Sequence, residues 1–172
     1  MISKQIQDAI NSQINAELWS AYLYLSMSMD AEAKGLRGVA NWMYIQWLEE
    51  LDHARILQLY MIQQEAHVML QPITEVPTKW NSINSMFKDT LYHEKEVTKS
   101  IHQIAAMALD EGDYATFSRM QWYIDEQVEE ESNANDVIDQ TELVDNEKVG
   151  IYCIDHLLGE RQYVKAEPLC SD

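Results

Sequence analysis

Apolar residues recur with a helical period along four long stretches that carry almost no breakers. The first runs from about Ser3 to Lys34 and the second from about Leu36 to Glu65. The third runs from about Lys79 to Glu111 and the fourth from about Asp113 to Thr141. Between the second and third, Pro72 and Pro77 mark an extended connection. Gly35 and Gly38 mark the first turn and Gly112 the second, because a helix C-terminus favours a residue tolerant of the left-handed region. A shorter apolar stretch, Val149 to Leu158, is opened by Gly150 and closed by Gly159. Helices of about 28 residues are roughly 42 Å long at 1.5 Å per residue. Four of them, with two tight turns and one long crossover, predict an all-α antiparallel four-helix bundle with a short fifth helix. That fifth helix needs a partner for Ile151, Ile154, Leu157 and Leu158, either the end of the bundle or a neighbouring subunit. One domain is expected over residues 1–160, with 161–172 as a frayed tail.

Each stripe is interrupted by polar residues. On the first helix Ile10, Glu17 and Tyr24 are spaced by seven, which places Glu17 on the inward face. The second stripe reads Val39, Met43, Gln46, Glu50, His53, Leu57, Tyr60, with Glu50 and His53 adjacent at i and i+3. The third reads Phe87, Leu91, Glu94, Ile101, Ala105, and the fourth Phe117, Met120, Ile124, Gln127, Glu130, Ala134. A single Glu beside a stripe is ordinarily a boundary residue whose head reaches water.

The turns argue otherwise. In an antiparallel pair, residues at one height are equidistant from the turn. The midpoint of Glu17 and Glu50 is 33.5, at the Lys34–Gly35 turn, and that of Glu94 and Gln127 is 110.5, at the Glu111–Gly112 turn. Both separations are 33 residues. Two hairpins therefore repeat one plan, an inward carboxylate opposite an i, i+3 polar pair. Carboxylates gathered at one level of an apolar core require neutralisation, by protons or by bound cations. Two divalent ions offset the charge of Glu17, Glu50, Glu94 and Glu130. An oxygen-rich set with one imidazole suits iron or manganese better than structural zinc. Glu50 is placed to bridge, His53 and Glu130 complete one shell each, and Gln127 hydrogen-bonds or coordinates weakly. Oxidation of two Fe(II) to Fe(III) would leave excess positive charge, which a bridging oxo or hydroxo group offsets. Tyr24 is placed to hydrogen-bond the cluster, to donate an electron, or simply to fill the core.

Charge and cysteine usage narrow the class. With 29 acidic against 12 basic residues the 172-residue chain carries a formal charge of −17, which disfavours nucleic acid and attracts cations. Its 47% hydrophobic content is that of a globular protein. Cys153 and Cys170 are too few for a disulfide framework, no secretion signal opens the chain, and no run is long enough to span a membrane. A cytoplasmic protein is expected.

Glu17 with Tyr24, the string EELDH ending at His53, Glu94, and QWYIDEQVEEE around Gln127 and Glu130 resemble the bacterial non-haem ferritins. The resemblance spans about residues 3–160, and ferritin-like folds are themselves a named instance of this bundle topology. It implies a ferroxidase subunit that assembles into a hollow shell of 24 copies, oxidises Fe(II) with oxygen or hydrogen peroxide, and stores ferric mineral inside. It maps a first iron position onto Glu17, Glu50 and His53, and a second onto Glu50, Glu94 and Glu130 with Gln127 alongside. It maps a third onto Glu49, Glu126 and Glu129, sharing Glu130, and sets the fifth helix at the shell's fourfold axis.

No haem is expected. The haem-containing bacterioferritins carry Glu-x-x-His in both hairpins and a methionine after the first such glutamate, whereas here Gln127 and Glu130 form the second pair and Leu51 follows Glu50. A di-iron oxygenase or peroxide reductase, and a non-catalytic helical interaction module, are the alternatives. Two cysteines cannot supply the four-thiolate iron domain that rubrerythrin-like reductases append. His67, His93, His102 and His156 are expected at the surface.

Overall fold

Two glycines with positive φ turn the chain back on itself, Gly35 at 78° and Gly112 at 71°. Around each, backbone bonds close a Schellman-type cap, from Leu36 N to Ala31 O at 3.0 Å and from Asp113 N to Ala108 O at 2.8 Å. The computed structural model describes residues 2–145 and 147–170. Among these the helices are α1 (Lys4–Ala33), α2 (Arg37–Gln63), α3 (Ile83–Asp110), α4 (Tyr114–Leu143) and α5 (Lys148–Leu158), with a 3-10 turn at Glu167–Leu169 and no strand. Thus α1 and α2 form one hairpin, α3 and α4 the other, and the expected all-α bundle with a long crossover is the observed fold. No described helix is long and apolar enough to cross a membrane.

Local chemistry sets the helix boundaries. Ser3 accepts from Ile6 N at 3.2 Å to open α1, and Asp113 accepts from Thr116 N at 3.0 Å to open α4. The start of α3 lies a few residues after the expected Lys79, because Ser82 and Ser85 form a reciprocal capping box there. The crossover is tied to α1 by two asparagines whose amides substitute for a paired strand. Asn11 binds His67 O at 3.0 Å and Met69 N at 2.8 Å, and Asn15 binds Met69 O at 3.0 Å and Gln71 N at 2.7 Å.

Gly38 belongs to α2 rather than to the first turn. A Cβ there would lie 1.5 Å from the carbonyl oxygen of Asp155, so the absence of a side chain lets α5 approach closely. Asp155 in turn caps α2, accepting from Val39 N at 2.9 Å. Ile154 and Leu158 bury against the end of the bundle, while Val149, Tyr152 and Leu157 stay exposed. Both expected partners for the short helix are thereby distinguished: the bundle end covers one face only.

The tail is not frayed through Cys170. Arg161 reaches back to α2, Tyr163 donates to Asp52 Oδ2 at 2.7 Å, and Leu169 is buried in the apolar cluster that also holds Ile56 and Tyr60. Scattered polar spacing hid this docking, which depends on three separated side chains.

Apolar packing falls into two clusters. One holds Tyr24, Met27, Val39, Met43, Phe87 and Val137 at the α5 end, and the other Ile6, Ile10, Leu57, Met61, Ile101 and Met120 at the opposite end. Between them lies a buried polar belt from all four long helices.

Candidate metal centre

Glu17, Glu50, His53, Glu94, Gln127 and Glu130 are all buried in that belt. Helical spacing puts each on the inward face, and the two turns bring the arms into register. Ligand atoms of Glu17, Glu50 and His53 lie within 4.8 Å of one another. In the second hairpin the Gln127 amide donates to Glu94 Oε2 at 3.0 Å and to the Glu94 carbonyl at 3.2 Å. Contacts also cross between hairpins: the Tyr24 hydroxyl donates to Glu94, and Gln46 Nε2 donates to Glu130 Oε2 at 2.7 Å.

Burial dominates the electrostatics. It pushes Glu17 well above the ordinary carboxylate range, with the charge of Glu50 adding to the effect. Glu50 is raised by burial and then by Glu94 and Glu130, and Glu130 is raised to about 8 by burial and then by Glu94. Tyr24 is likewise driven up, by burial first and Glu94 second, so its hydroxyl keeps its proton and donates a hydrogen bond. Glu17 Oε2 is buried without any hydrogen-bond partner, although Gln13 donates to Glu17 Oε1 at 2.9 Å. A buried acceptor of this kind is rare in folded proteins and fits a cation ligand. The donor set is rich in carboxylate oxygen with a single imidazole, a chemistry matching iron or manganese.

A second group opens to one side. His53, Glu126 and Glu130 have ligand atoms within 4.8 Å of one another. They border a cavity of about 230 Å³ with Glu49, Glu129 and Trp122. Of the acids assigned to the third position, Glu126 joins the group with Glu130, and Glu129 lines the cavity without entering the close group. Glu49 is engaged by Arg161. Burial raises Glu49, opposed by Arg161, and burial also raises half-buried Glu126.

Several contributors escaped the sequence reading. Gln13 and Gln46 each stand four residues before an inward glutamate and donate to it, to Glu17 at 2.9 Å and to Glu50 at 3.4 Å. That repeated Gln-x-x-x-Glu spacing was the available signal. Tyr123 donates to the His53 carbonyl at 2.6 Å, and Trp122 meets the imidazole edge-on at 5.5 Å. His93 is half-buried rather than fully exposed: its ring lies 2.6 Å from Ser20 Oγ and 5.1 Å from Trp19, and burial lowers its pKa.

Buried carboxylates and one histidine, carried at mid-height on four antiparallel helices with a single long crossover, define a carboxylate-type metal-binding bundle protein. Comparison with known proteins makes that class specific. Residues 7–144 match the Ferritin family (ferritin-like domain), and the chain belongs to it. It is 38% identical over 161 residues to a bacterial non-heme ferritin of Bacteroides fragilis, covering 94% of this chain and all of that one. To the bacterial non-heme ferritin of Campylobacter jejuni it is 35% identical, covering 96% of this chain and 95% of the relative. Among solved structures, an open pore ferritin from Archaeoglobus fulgidus superposes with a TM-score of 0.93 at 41% identity, covering 94% of this chain and all of that one. Family and fold together support iron storage and iron oxidation as the general activity.

Proposed function

We propose that the chain is an iron-storage subunit that oxidises Fe(II) at a di-iron centre within each subunit and deposits ferric mineral inside a 24-subunit shell. The buried, partnerless Glu17 Oε2 beside Glu50 and His53 carries this reading, because that cluster needs cations to be ionised. Glu17, Glu50 and His53 hold one Fe(II), and Glu50, Glu94 and Glu130 the other, with Gln127 alongside. Glu50 bridges, and its Oε2 lies 3.6 Å from His53 Nδ1. Gln13 and Gln46 fix the orientation of carboxylates before iron arrives. Two Fe(II) each lose one electron; oxygen takes both electrons and two protons to give hydrogen peroxide, or peroxide takes them to give water. Ferric ions then leave through the outer acids, Glu49, Glu126 and Glu129, which serve as the third position.

Two surfaces support assembly from copies of this chain. α5 exposes Val149, Tyr152 and Leu157. A hollow of about 750 Å³ lies between α1 and the crossover, bordered by Tyr22, Leu25, Met29, Ile73 and Val76. Two exposed free cysteines, Cys153 and Cys170, are consistent with a reducing, cytoplasmic setting.

Adding Fe(II) in air to the purified protein tests the reading. Many irons oxidised and retained per subunit are expected, in a particle far larger than one chain. Two oxidised without retention would point to an oxygenase-like centre, and none to a binding module.

A further inference from the structure

The outer cavity already contains a cation of the protein's own. Arg161 follows α5 by three residues and reaches α2, where its guanidinium pairs with Glu49 through Nη2. Nη1 donates to Gln46 Oε1 at 2.9 Å and lies 3.4 Å from the Trp42 carbonyl, and the guanidinium carbon lies 4.3 Å above the Trp42 ring. Both members of the Arg161–Glu49 pair are about one-fifth exposed, so the pair is shielded but not sealed.

Two physical consequences follow. An arginine cannot lose its charge in a protein, so it stands as a fixed positive group in a cavity whose lining includes Glu49, Glu126, Glu129 and Glu130, and it is the lining cation that pairs with Glu49, Lys165 lying on the same border without an ion pair to it. It also determines which way the Gln46 amide faces. With Oε1 held by Arg161, Nε2 points at Glu130 Oε2 at 2.7 Å and at Glu50 Oε1 at 3.4 Å, two carboxylates of the inner site. The tail thus touches the inner site through a single amide and the outer site directly.

We propose that Arg161 is a positioning residue that occupies Glu49 as a tethered counter-ion, so that a divalent ion gains the outer position only by displacing the guanidinium from Glu49. The inference rests on the proposed iron site. Displacement would release Gln46 Oε1 at the same time, linking arrival of the outer ion to the donors on Glu50 and Glu130.

Anaerobic calorimetric titration of Fe(II) into the assembled full chain tests this. The wild type is expected to bind two equivalents tightly and a third weakly. In Arg161→Gln the third equivalent should tighten by about tenfold, since a competing charge in a shielded site is removed. Glu49→Gln should weaken the third equivalent in either background. Unchanged or weaker third-equivalent binding in Arg161→Gln, with the first two intact, overturns the role of Arg161 alone. Failure of the wild type to bind the first two overturns the iron-site reading beneath it. If Arg161→Gln does not assemble, wild-type crystals soaked anaerobically in ferrous salt decide. Glu49 turned onto an ion with Arg161 swung away supports the proposal, and an ion bound beside an intact Arg161–Glu49 pair overturns it.

Discussion

Tyr24 and Glu94 join the two hairpins, the hydroxyl on α1 donating to the carboxylate on α3. Glu94 takes its other side-chain donor from Gln127 on α4. Tyr24→Phe removes this donor between hairpins and leaves Gln127 and the Gln46–Glu130 bond in place. Initial Fe(II) oxidation is expected to slow by about tenfold, the lower end of what loss of a ligand-supporting hydrogen bond costs, with the assembly unchanged. Stopped-flow absorbance of ferric product measures it, and an unaltered rate would assign Tyr24 to packing alone.

Glu17 should show opposite effects on stability and activity. Its unpartnered oxygen and burial destabilise the iron-free protein whenever the carboxylate is ionised. Glu17→Gln is therefore expected to raise the iron-free melting temperature at neutral pH. The same change should lower the oxidation rate by at least the ~10–100-fold that loss of a supporting residue costs. A lower iron-free melting temperature would contradict the electrostatic account.

The pH dependence of the iron-free protein follows from Glu130, whose value rises on folding from an ordinary 4.5 to about 8. A carboxyl raised in this way holds its proton more tightly when folded. Its stabilising contribution is complete below the unfolded value and is lost as pH rises through the folded one. Between pH 4.5 and about 8, wild-type stability should fall relative to Glu130→Gln, by on the order of a few kcal/mol in total. Iron binding displaces those protons, so the stabilisation conferred by iron should grow over the same interval. Calorimetric melts of both proteins, with and without metal, measure the crossing.

Gly38→Ala puts a methyl where the Asp155 carbonyl stands, 1.5 Å away, and α5 must move. A loss of about 1–3 kcal/mol is expected, together with an altered particle size, because the exposed apolar side chains of α5 shift with it. Thermal melts and size-exclusion chromatography test both effects; a wild-type profile would detach α5 from assembly. Truncation before Val149 should change the particle in the same direction.

Net charge governs how iron approaches the chain. At −17 per chain, the field that draws cations to the surface is screened over about 8 Å at physiological ionic strength, so initial iron uptake should fall as salt is raised. Equal uptake rates at low and high salt would remove long-range attraction from the entry step.

The bundle and the inner cluster were legible because both obey rules local to the chain. Helical period places Glu17, Glu50, Glu94 and Glu130 on inward faces, and the Gly35 and Gly112 turns fix their heights, so register follows from counting. What escaped depends on approach between distant segments. Gly38 read as a turn residue because nothing nearby in sequence shows that Asp155 will pass beside it. Arg161 and Leu169 read as tail because docking against α2 depends on isolated side chains with no period. His93, next to Glu94, lies off the strict stripe, and only the arrangement of α1 against α3 reveals Trp19 and Ser20 beside it.

Separation of the core into two greasy halves has a mechanical result. Neither half extends through the waist, where the layer of buried acids and amides lies, so apolar packing is interrupted midway along the iron-free molecule. Ions seated there would act as rivets, and amide exchange should slow most at the middle turns of the four long helices when the protein is loaded.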